Sequence, residues 1–292
     1  MVPLGAEFAS RFLFVLVNGF VWALIVALVA LGLSFIFGLM DIVNIAHGDL
    51  YMLGAVLTWY GLAATGNFWL GVILATAVVG VLGIGLERGA LRPVEGMPAY
   101  TVVVTIGISY ILQQVVLAVF GGSPQKMSDP FPMVIEFLGV RYPGYRILVA
   151  GVSGIALLAL WFLLFKTSVG LWIRATMQDR EMANAMGISV NSIYAMTFAL
   201  GAALAALGGA LASPIVQVFY LMGYDLLVLV FIIVIVGGLG SLKGTMVAAL
   251  IICPLESVMT LFVTPTEARV ISFLVMAAVL LVRPQGLFKA WR

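Results

Sequence analysis

The 292-residue chain is 64% hydrophobic and only 9% charged, with 14 basic and 12 acidic residues and a mean hydropathy of +1.22. Soluble domains contain about 25% charged residues, so this chain has too few charges to cover a water-facing surface. Its net charge of +2 is too small to indicate a nucleic-acid-binding protein. We therefore predict an all-α fold, a polytopic transmembrane helical bundle that forms a single domain over residues 1–292.

Long charge-free runs predict the membrane spans, because a helix needs about 18 or more apolar residues to cross a bilayer. Dividing the runs at glycine, proline and polar residues predicts nine segments, within a range of about 8–10 spans: residues 12–38, 46–63, 67–86, 99–120, 147–165, 191–212, 224–240, 245–263 and 266–283. Lys and Arg favour cytoplasmic loops. Their distribution predicts that the 166–190 loop and the C-terminus are cytoplasmic and that the N-terminus is external.

The sequence NIAHGDL, residues 44–50, interrupts the apolar pattern between the first two spans and contains the single histidine of the chain. Ionisable groups in a membrane segment are costly and usually face a cavity or a partner. Asn44, His47, Gly48 and Asp49 are therefore candidates for the translocation path or its gate; the alternative is a tight turn between two helices. We predict a non-helical turn in which Gly48 supplies the bend, Asn44 and Asp49 bind exposed backbone groups, and His47 contacts a neighbouring loop.

The longest polar segment predicted on the external side is the loop at residues 121–146. Within it, the sequence VIEFLGVRY predicts a short β-hairpin over the bundle. This surface could receive another protein, or it could be a plain connecting loop.

The longest polar segment predicted on the cytoplasmic side is RATMQDREMANAMGISV, residues 174–190. Acidic residues suit the first turn of a helix, a glycine commonly follows the last turn, and methionines at helical spacing form an adaptable apolar face. We predict a short helix that docks into a groove of another protein; the alternative is an amphipathic connector on the membrane. The candidate docking residues are Asp179, Arg180, Glu181, Met182, Ala183, Ala185, Met186 and Gly187.

Small residues recur at every fourth position in the span predicted at 191–212, where Gly201, Ala205 and Gly209 share one face. Such faces let helix backbones approach closely in lipid, where burial from water gives no driving force. We predict that this face packs against neighbouring helices.

Two further features lie near the end of the chain. The sequence GGLGSLKG, residues 237–244, lacks the surroundings of a nucleophilic serine, so we assign its Gly240 and Gly244 to close packing and a turn. Glu256 follows Pro254 within an apolar segment. This carboxylate could face the translocation path or a subunit interface, or it could pair with a local hydrogen-bonding group.

Four motifs carry a resemblance to a known family. The run RATMQDREMANAMGISVNSIYAMTFALGAALAALGGAL resembles the coupling loop and following helix of ABC importer permeases. NIAHGDLYMLGA, ERGALRPVEG and GGLGSLKG resemble segments of the LivH-type permeases of branched-chain amino acid importers, in the same order. The chain departs from the general importer pattern at Met182, where that pattern has alanine.

The resemblance implies a permease that works with a second homologous permease subunit, two cytoplasmic ATPase subunits and a periplasmic or lipid-anchored solute-binding protein. It implies the bacterial cytoplasmic (inner) membrane, and docking of the 179–187 helix onto the ATPase. The sequence contains no G-x-x-x-x-G-K-[ST] motif, so we expect ATP and Mg to bind the partner ATPase. In this chain we expect no cofactor, no metal ligand and no catalytic residue.

Two other functions remain open from the residues alone. An ion-coupled secondary transporter of a small solute would need a carboxylate near the middle of the membrane, and Glu256 is the fair candidate. An ABC permease for urea or amides would share every feature described above. We expect an importer of branched-chain or related amino acids.

Overall fold

The computed structural model describes residues 4–137 and 140–289. In chain order the helices are α1 (Leu4–Met40), α2 (His47–Thr65), α3 (Phe68–Leu86), α4 (Pro98–Phe120), α5 (Gly144–Lys166), α6 (Ser168–Gln178), α7 (Arg180–Ala185), α8 (Val190–Ala212), α9 (Met222–Gly237), α10 (Leu242–Met259) and α11 (Pro265–Val282). A π-helical turn (Glu87–Leu91) and a 3-10 turn (Arg92–Val94) follow α3. The predicted all-α membrane bundle is confirmed.

Every predicted span coincides with a long helix, α1 to α5 or α8 to α11. Within the described residues, seven helices are long and apolar enough to cross a membrane, fewer than the predicted 8–10. The difference lies in α2, which carries polar residues in its first turn, and in α9, which has only 16 residues. Polarity and length therefore separate these two helices from the rest.

Local sequence determines several helix ends. The side chain of Asn67 accepts hydrogen bonds from the backbone N–H groups of Trp69 and Leu70 and so caps α3. Thr264 and Glu267 form a reciprocal capping box at the start of α11. These caps satisfy backbone donors that would otherwise lack a partner at the membrane surface.

Helices α1, α2 and α8 form the centre of the bundle. Of the residues in the most apolar stretch of α1, 78% are buried, whereas the corresponding share in α11 is 11%. Helices α3, α4, α5 and α11 lie at the periphery with large apolar side chains exposed. These outer faces are suited to lipid or to another membrane subunit.

Glycine and alanine allow α8 to approach α1 and α2 closely. A Cβ atom added at Gly209 would collide with the Tyr51 carbonyl of α2, and one at Gly201 would lie 2.9 Å from the Gly32 carbonyl oxygen of α1. Ala205 on the same face is fully buried. Small residues at every fourth position thus bring three backbones together.

The 237–244 segment joins α9 to α10 by a turn. Gly240 has a φ of 76°, which side-chain-bearing residues rarely adopt. A Cβ atom at Gly244 would collide with the Gly237 carbonyl. The backbone N–H of Leu287 donates to the Val236 carbonyl at 2.8 Å, so the segment after α11 packs on this turn.

The β-hairpin predicted within residues 121–146 is confirmed. Strands β1 (Val134–Phe137) and β2 (Val140–Pro143) pair antiparallel, with Ile135 opposite Tyr142. Gln125 pairs with Val218 through two backbone hydrogen bonds of 2.8 and 2.9 Å, which tie this loop to the α8–α9 connection.

Candidate functional site

The chain leaves helical geometry between α1 and α2, at residues 41–46. This confirms the predicted non-helical turn, but the prediction that Gly48 supplies the bend is wrong. The residue with a positive φ is Asp41, at 53°, whereas Gly48 lies in the first turn of α2. Gly48 is instead required for packing, because a Cβ atom there would collide with the Gly223 carbonyl of α9.

His47 begins α2 and is fully buried. Its Nε2–H donates to the Val29 carbonyl oxygen at 2.9 Å, and the ring packs against Gly32. The prediction that His47 contacts a neighbouring loop is therefore wrong, since its neighbour is the middle of α1. The start of α2 reaches into the bundle, where helices surround it.

Asp49 and Asn44 do not bind exposed backbone groups, contrary to the prediction. Asp49 Oδ1 accepts a hydrogen bond from Gln113 Nε2 of α4 at 3.0 Å. Both amide atoms of the buried Asn44 side chain lack a hydrogen-bond partner among the described residues. A buried amide without partners is costly, so the Asn44 side chain is a destabilising feature of this turn.

Helix α4 supplies a polar stripe that the sequence analysis did not single out. Thr101, Thr105, Ser109 and Gln113 are buried, whereas the other faces of α4 carry exposed apolar side chains. Polar residues at every fourth position lie on one helix face, and that spacing was the available signal. Gln113 Nε2 also donates to Ser109 Oγ at 3.0 Å, so Asp49, Ser109 and Gln113 form a buried polar cluster between α2 and α4.

Helix α7 is defined by its own capping residues. Asp179 Oδ1 accepts a hydrogen bond from the Met182 backbone N–H at 2.9 Å and caps the first turn. Gly187 has a φ of 83°, and the Ile188 N–H donates to the Ala183 carbonyl at 3.0 Å. The acidic N-cap Asp179 and the left-handed Gly187 mark the two ends of α7. A helix this short is not stable by itself, so it depends on contacts with the rest of the protein.

The methionines of α7 point away from the bundle. Met182 is 60% exposed and Met186 is 76% exposed, and Ala185 is exposed beside them. Ala183 is buried against the protein. The exposed side of α7 is thus an apolar patch of flexible side chains at a polar end of the bundle, the composition of a docking surface.

The side chain of Arg180 connects α7 to other parts of the fold through two contacts that were not predicted. Arg180 Nη1 lies 2.5 Å from Glu95 Oε1, and its guanidinium lies over the Tyr194 ring at 5.2 Å. In the preceding loop, Arg92 pairs with the buried Glu87 at 2.8 Å and donates to a carbonyl of α8 at 3.1 Å. Arg180 and Glu95 lie in separate segments of the chain, as do Arg92 and α8, so no local pattern indicated these contacts.

Glu256 lies in the last turn of α10. A position at a helix end does not suit the mid-membrane carboxylate that ion coupling would need. Glu256 Oε1 accepts a hydrogen bond from Arg269 Nε of α11 at 2.7 Å, and its Oε2 accepts one from Ser272 at 3.4 Å. Glu256 also lines a pocket together with Asn18 and Arg146.

The sequence model of the family described as branched-chain amino acid transport system / permease component matches residues 15–281. This chain belongs to that family. The permease is 29% identical over 288 residues to the high-affinity branched-chain amino acid transport system permease protein LivH of Escherichia coli strain K12, which covers 92% of this chain and 93% of LivH. The corresponding protein BraD of Pseudomonas aeruginosa is 28% identical over 288 residues, covering 93% of this chain and 94% of BraD.

A relative that is named for another substrate also matches the permease. The ribose import permease protein RbsC of Escherichia coli strain K12 is 26% identical over 235 residues, covering 73% of this chain and 70% of RbsC. No solved structure matches. The family and the seven long apolar helices together identify a multi-pass membrane permease subunit.

The hydrogen bond between Gln113 and Asp49 leads to a stability prediction. We expect Gln113→Leu to lower the free energy of unfolding by about 1–3 kcal/mol, because a buried carboxyl group loses its donor. Gln114→Leu is the matched control, since Gln114 is the adjacent, exposed residue of α4. Thermal unfolding of the detergent-purified permease measures both variants, and equal unfolding temperatures would contradict the prediction.

Proposed function

We propose that this chain is the permease subunit of an ATP-driven ABC importer for branched-chain or related amino acids. The observation that carries the proposal is helix α7, a capped cytoplasmic helix with exposed methionines. An exposed apolar helix face is suited to a groove in a partner protein. The ion pair between Arg180 and Glu95 holds this helix against the loop that follows α3.

The proposed complex contains a second homologous permease subunit, two cytoplasmic ATPase subunits and a periplasmic or lipid-anchored solute-binding protein. The ATPase subunits bind ATP and Mg, and this chain contributes neither a cofactor nor a catalytic residue. The exposed apolar faces of α3, α4, α5 and α11 support a place in the bilayer beside another membrane subunit. The proposed location is the bacterial cytoplasmic (inner) membrane.

The proposed mechanism is alternating access. Closure of the ATPase subunits on ATP pushes α7, and Arg180 transmits this movement to Glu95 and to Tyr194 of α8. Helix α8 packs on α1 and α2 through backbone contacts too close to deform, so the three helices shift as a body. Their shift changes the non-helical turn at residues 41–46 and the adjacent buried polar cluster.

The choice of substrate class rests on the relatives. LivH and BraD are named for branched-chain amino acids and cover nearly the whole chain, whereas RbsC is named for ribose and covers less of it. The polar cluster of α2 and α4 contains hydrogen-bonding groups that suit the ends of an amino acid, but a sugar or an amide could also use them.

The test is transport by the reconstituted complex. The chain is co-purified with its ATPase, second permease and binding protein, and uptake of labelled leucine, isoleucine and valine into proteoliposomes is measured with ribose, urea and acetamide as competitors. We expect uptake to need ATP and to be inhibited by the other branched-chain amino acids alone. Uptake driven by a proton or sodium gradient without the ATPase would indicate a secondary transporter. Competition by ribose or urea would indicate another substrate class.

A further inference from the structure

The external pocket beside Glu256 lies between the outer parts of α1, α5 and α10 and the segment after α8. Its volume is about 280 Å³, near the lower end of the range of about 300–1,000 Å³ typical of small-molecule pockets. The lining residues are Asn18, Trp22, Arg146, Ile215, Val216, Cys253, Glu256, Ser257 and Thr260. The pocket is open to the outside and combines two opposite charges with an apolar wall.

Arg146 provides a cation without a compensating carboxylate. Its Nη1 donates to the neutral Asn18 side chain at 2.5 Å, and none of the ion pairs within residues 4–137 and 140–289 includes it. Tyr142 donates to the same Asn18 oxygen at 2.8 Å. Burial raises the pKa of Tyr142, a shift that nearby Arg146 partly opposes, so the phenol stays protonated as a donor. The remaining N–H groups of Arg146 are available for a carboxylate, which a guanidinium binds in a two-point manner.

Glu256 provides the opposite charge. Arg269 and Ser272 each occupy one of its oxygens, and each carboxylate oxygen has a second acceptor position. Glu256 is largely buried, with a side chain 15% exposed, and it lines the same pocket as Arg146. It can therefore accept an N–H from an ammonium group in the pocket while it keeps its partners on α11.

The apolar part of the lining is formed by Trp22, Ile215, Val216 and Cys253. A free α-amino acid with an aliphatic side chain carries a carboxylate, an ammonium group and an apolar group on a single carbon. We propose that this pocket is an external binding site for such an amino acid, with its carboxylate on Arg146, its ammonium on Glu256 and its side chain against Trp22, Ile215 and Val216. The proposal rests on the proposed function and adds that the permease itself recognises the substrate on the external side.

Binding of labelled L-leucine to the purified full-length chain, in phosphatidylcholine nanodiscs without the binding protein, tests the site. We expect Arg146→Gln to weaken binding at least about tenfold, the equivalent of about 1.4 kcal/mol. Arg141→Gln is the matched control, because Arg141 is an exposed arginine of the same external region that pairs with Glu136 outside the pocket. Equal binding by the two variants would overturn the proposal.

Ligand analogues separate recognition from general damage to the fold. The wild-type chain should prefer leucine to leucinamide, which lacks the carboxylate, and to 4-methylpentanoate, which lacks the ammonium group. The Arg146→Gln variant should no longer prefer leucine to leucinamide. It should still prefer leucine to 4-methylpentanoate. A variant that loses both preferences equally would contradict the assigned orientation.

A second variant keeps the proposal testable if Arg146→Gln does not fold. Thr260 lines the pocket and is exposed, whereas Cys253 is buried and poorly accessible to a charged thiol reagent. In Thr260→Cys, leucine should slow modification by such a reagent, and leucinamide should not. Absence of protection by leucine, or protection by added phosphatidylglycerol instead, would overturn the amino-acid site, the latter in favour of an anionic lipid.

Transport by the whole complex separates this proposal from the proposed function. If the complex takes up leucine with ATP and Arg146→Gln matches Arg141→Gln in binding and in uptake, the pocket proposal fails and the proposed function stands. If the wild-type complex takes up no branched-chain amino acid, the proposed function fails, whatever the result for the pocket.

Discussion

Met182→Asp and Met186→Asp are each expected to abolish ATP-driven uptake while leaving membrane insertion unchanged. Both methionines lie on the exposed face of α7, which is the proposed contact with the ATPase. A carboxylate there would have to lose its water on docking, and a cost of about 3 kcal/mol already weakens binding more than about a hundredfold. The measurements are leucine uptake into proteoliposomes and co-purification of the ATPase.

Asn184→Asp is the matched control for both variants. It adds the same charge to α7, at an exposed position almost opposite Met182 around the helix. We expect Asn184→Asp to retain uptake and co-purification. Normal transport by both methionine variants would show that α7 does not couple the permease to an ATPase.

Gly48→Val is expected to lower the yield of folded permease, because overpacking costs about 1–3 kcal/mol even where side chains can move. At this position the new side chain meets the Gly223 carbonyl of α9, and backbone cannot move aside as a side chain can. The clash would push the start of α2, which carries His47 and Asp49, away from α9. Size-exclusion chromatography of the solubilised chain measures the folded fraction, and uptake measures activity.

Two other variants serve as controls for Gly48→Val. Gly107→Val places the same residue in α4, where an added Cβ atom meets nothing within 4 Å, so the fold should tolerate it. His47→Gln keeps a donor for the Val29 carbonyl, and we expect its folded fraction to stay within about twofold of the wild type. A Gly48→Val chain that folds as well as Gly107→Val would disprove the packing argument.

The sequence was sufficient to predict the helices, because these depend on residues close together in the chain. Charge-free runs located every long helix, and Asp179 and Gly187 located α7 within two residues of its ends. The sequence VIEFLGVRY located the β-hairpin. Each signal reports hydrogen bonding or hydrophobicity within a few positions.

In the NIAHGDL segment, local sequence patterns were not sufficient to predict the role of each residue. The polarity of this segment correctly indicated a break between α1 and α2, since polar and ionisable groups are costly within a membrane helix. The assignment of the bend to Gly48 was wrong, because a glycine is required both where φ is positive and where two backbones touch. Only the position of α9 distinguishes these two reasons.

By itself the sequence determined that the protein is a helical membrane permease with a short helix between its longer ones. The tertiary structure alone decided which polar groups meet: Gln113 with Asp49 across 64 positions, Arg146 with Asn18 across 128, and Arg180 with Glu95 in a separate loop. The physical reason is that composition and helical period act locally, whereas these pairs depend on how whole helices pack. Packing in this bundle depends on contacts between small residues, and the sequence marks such residues without naming their partners.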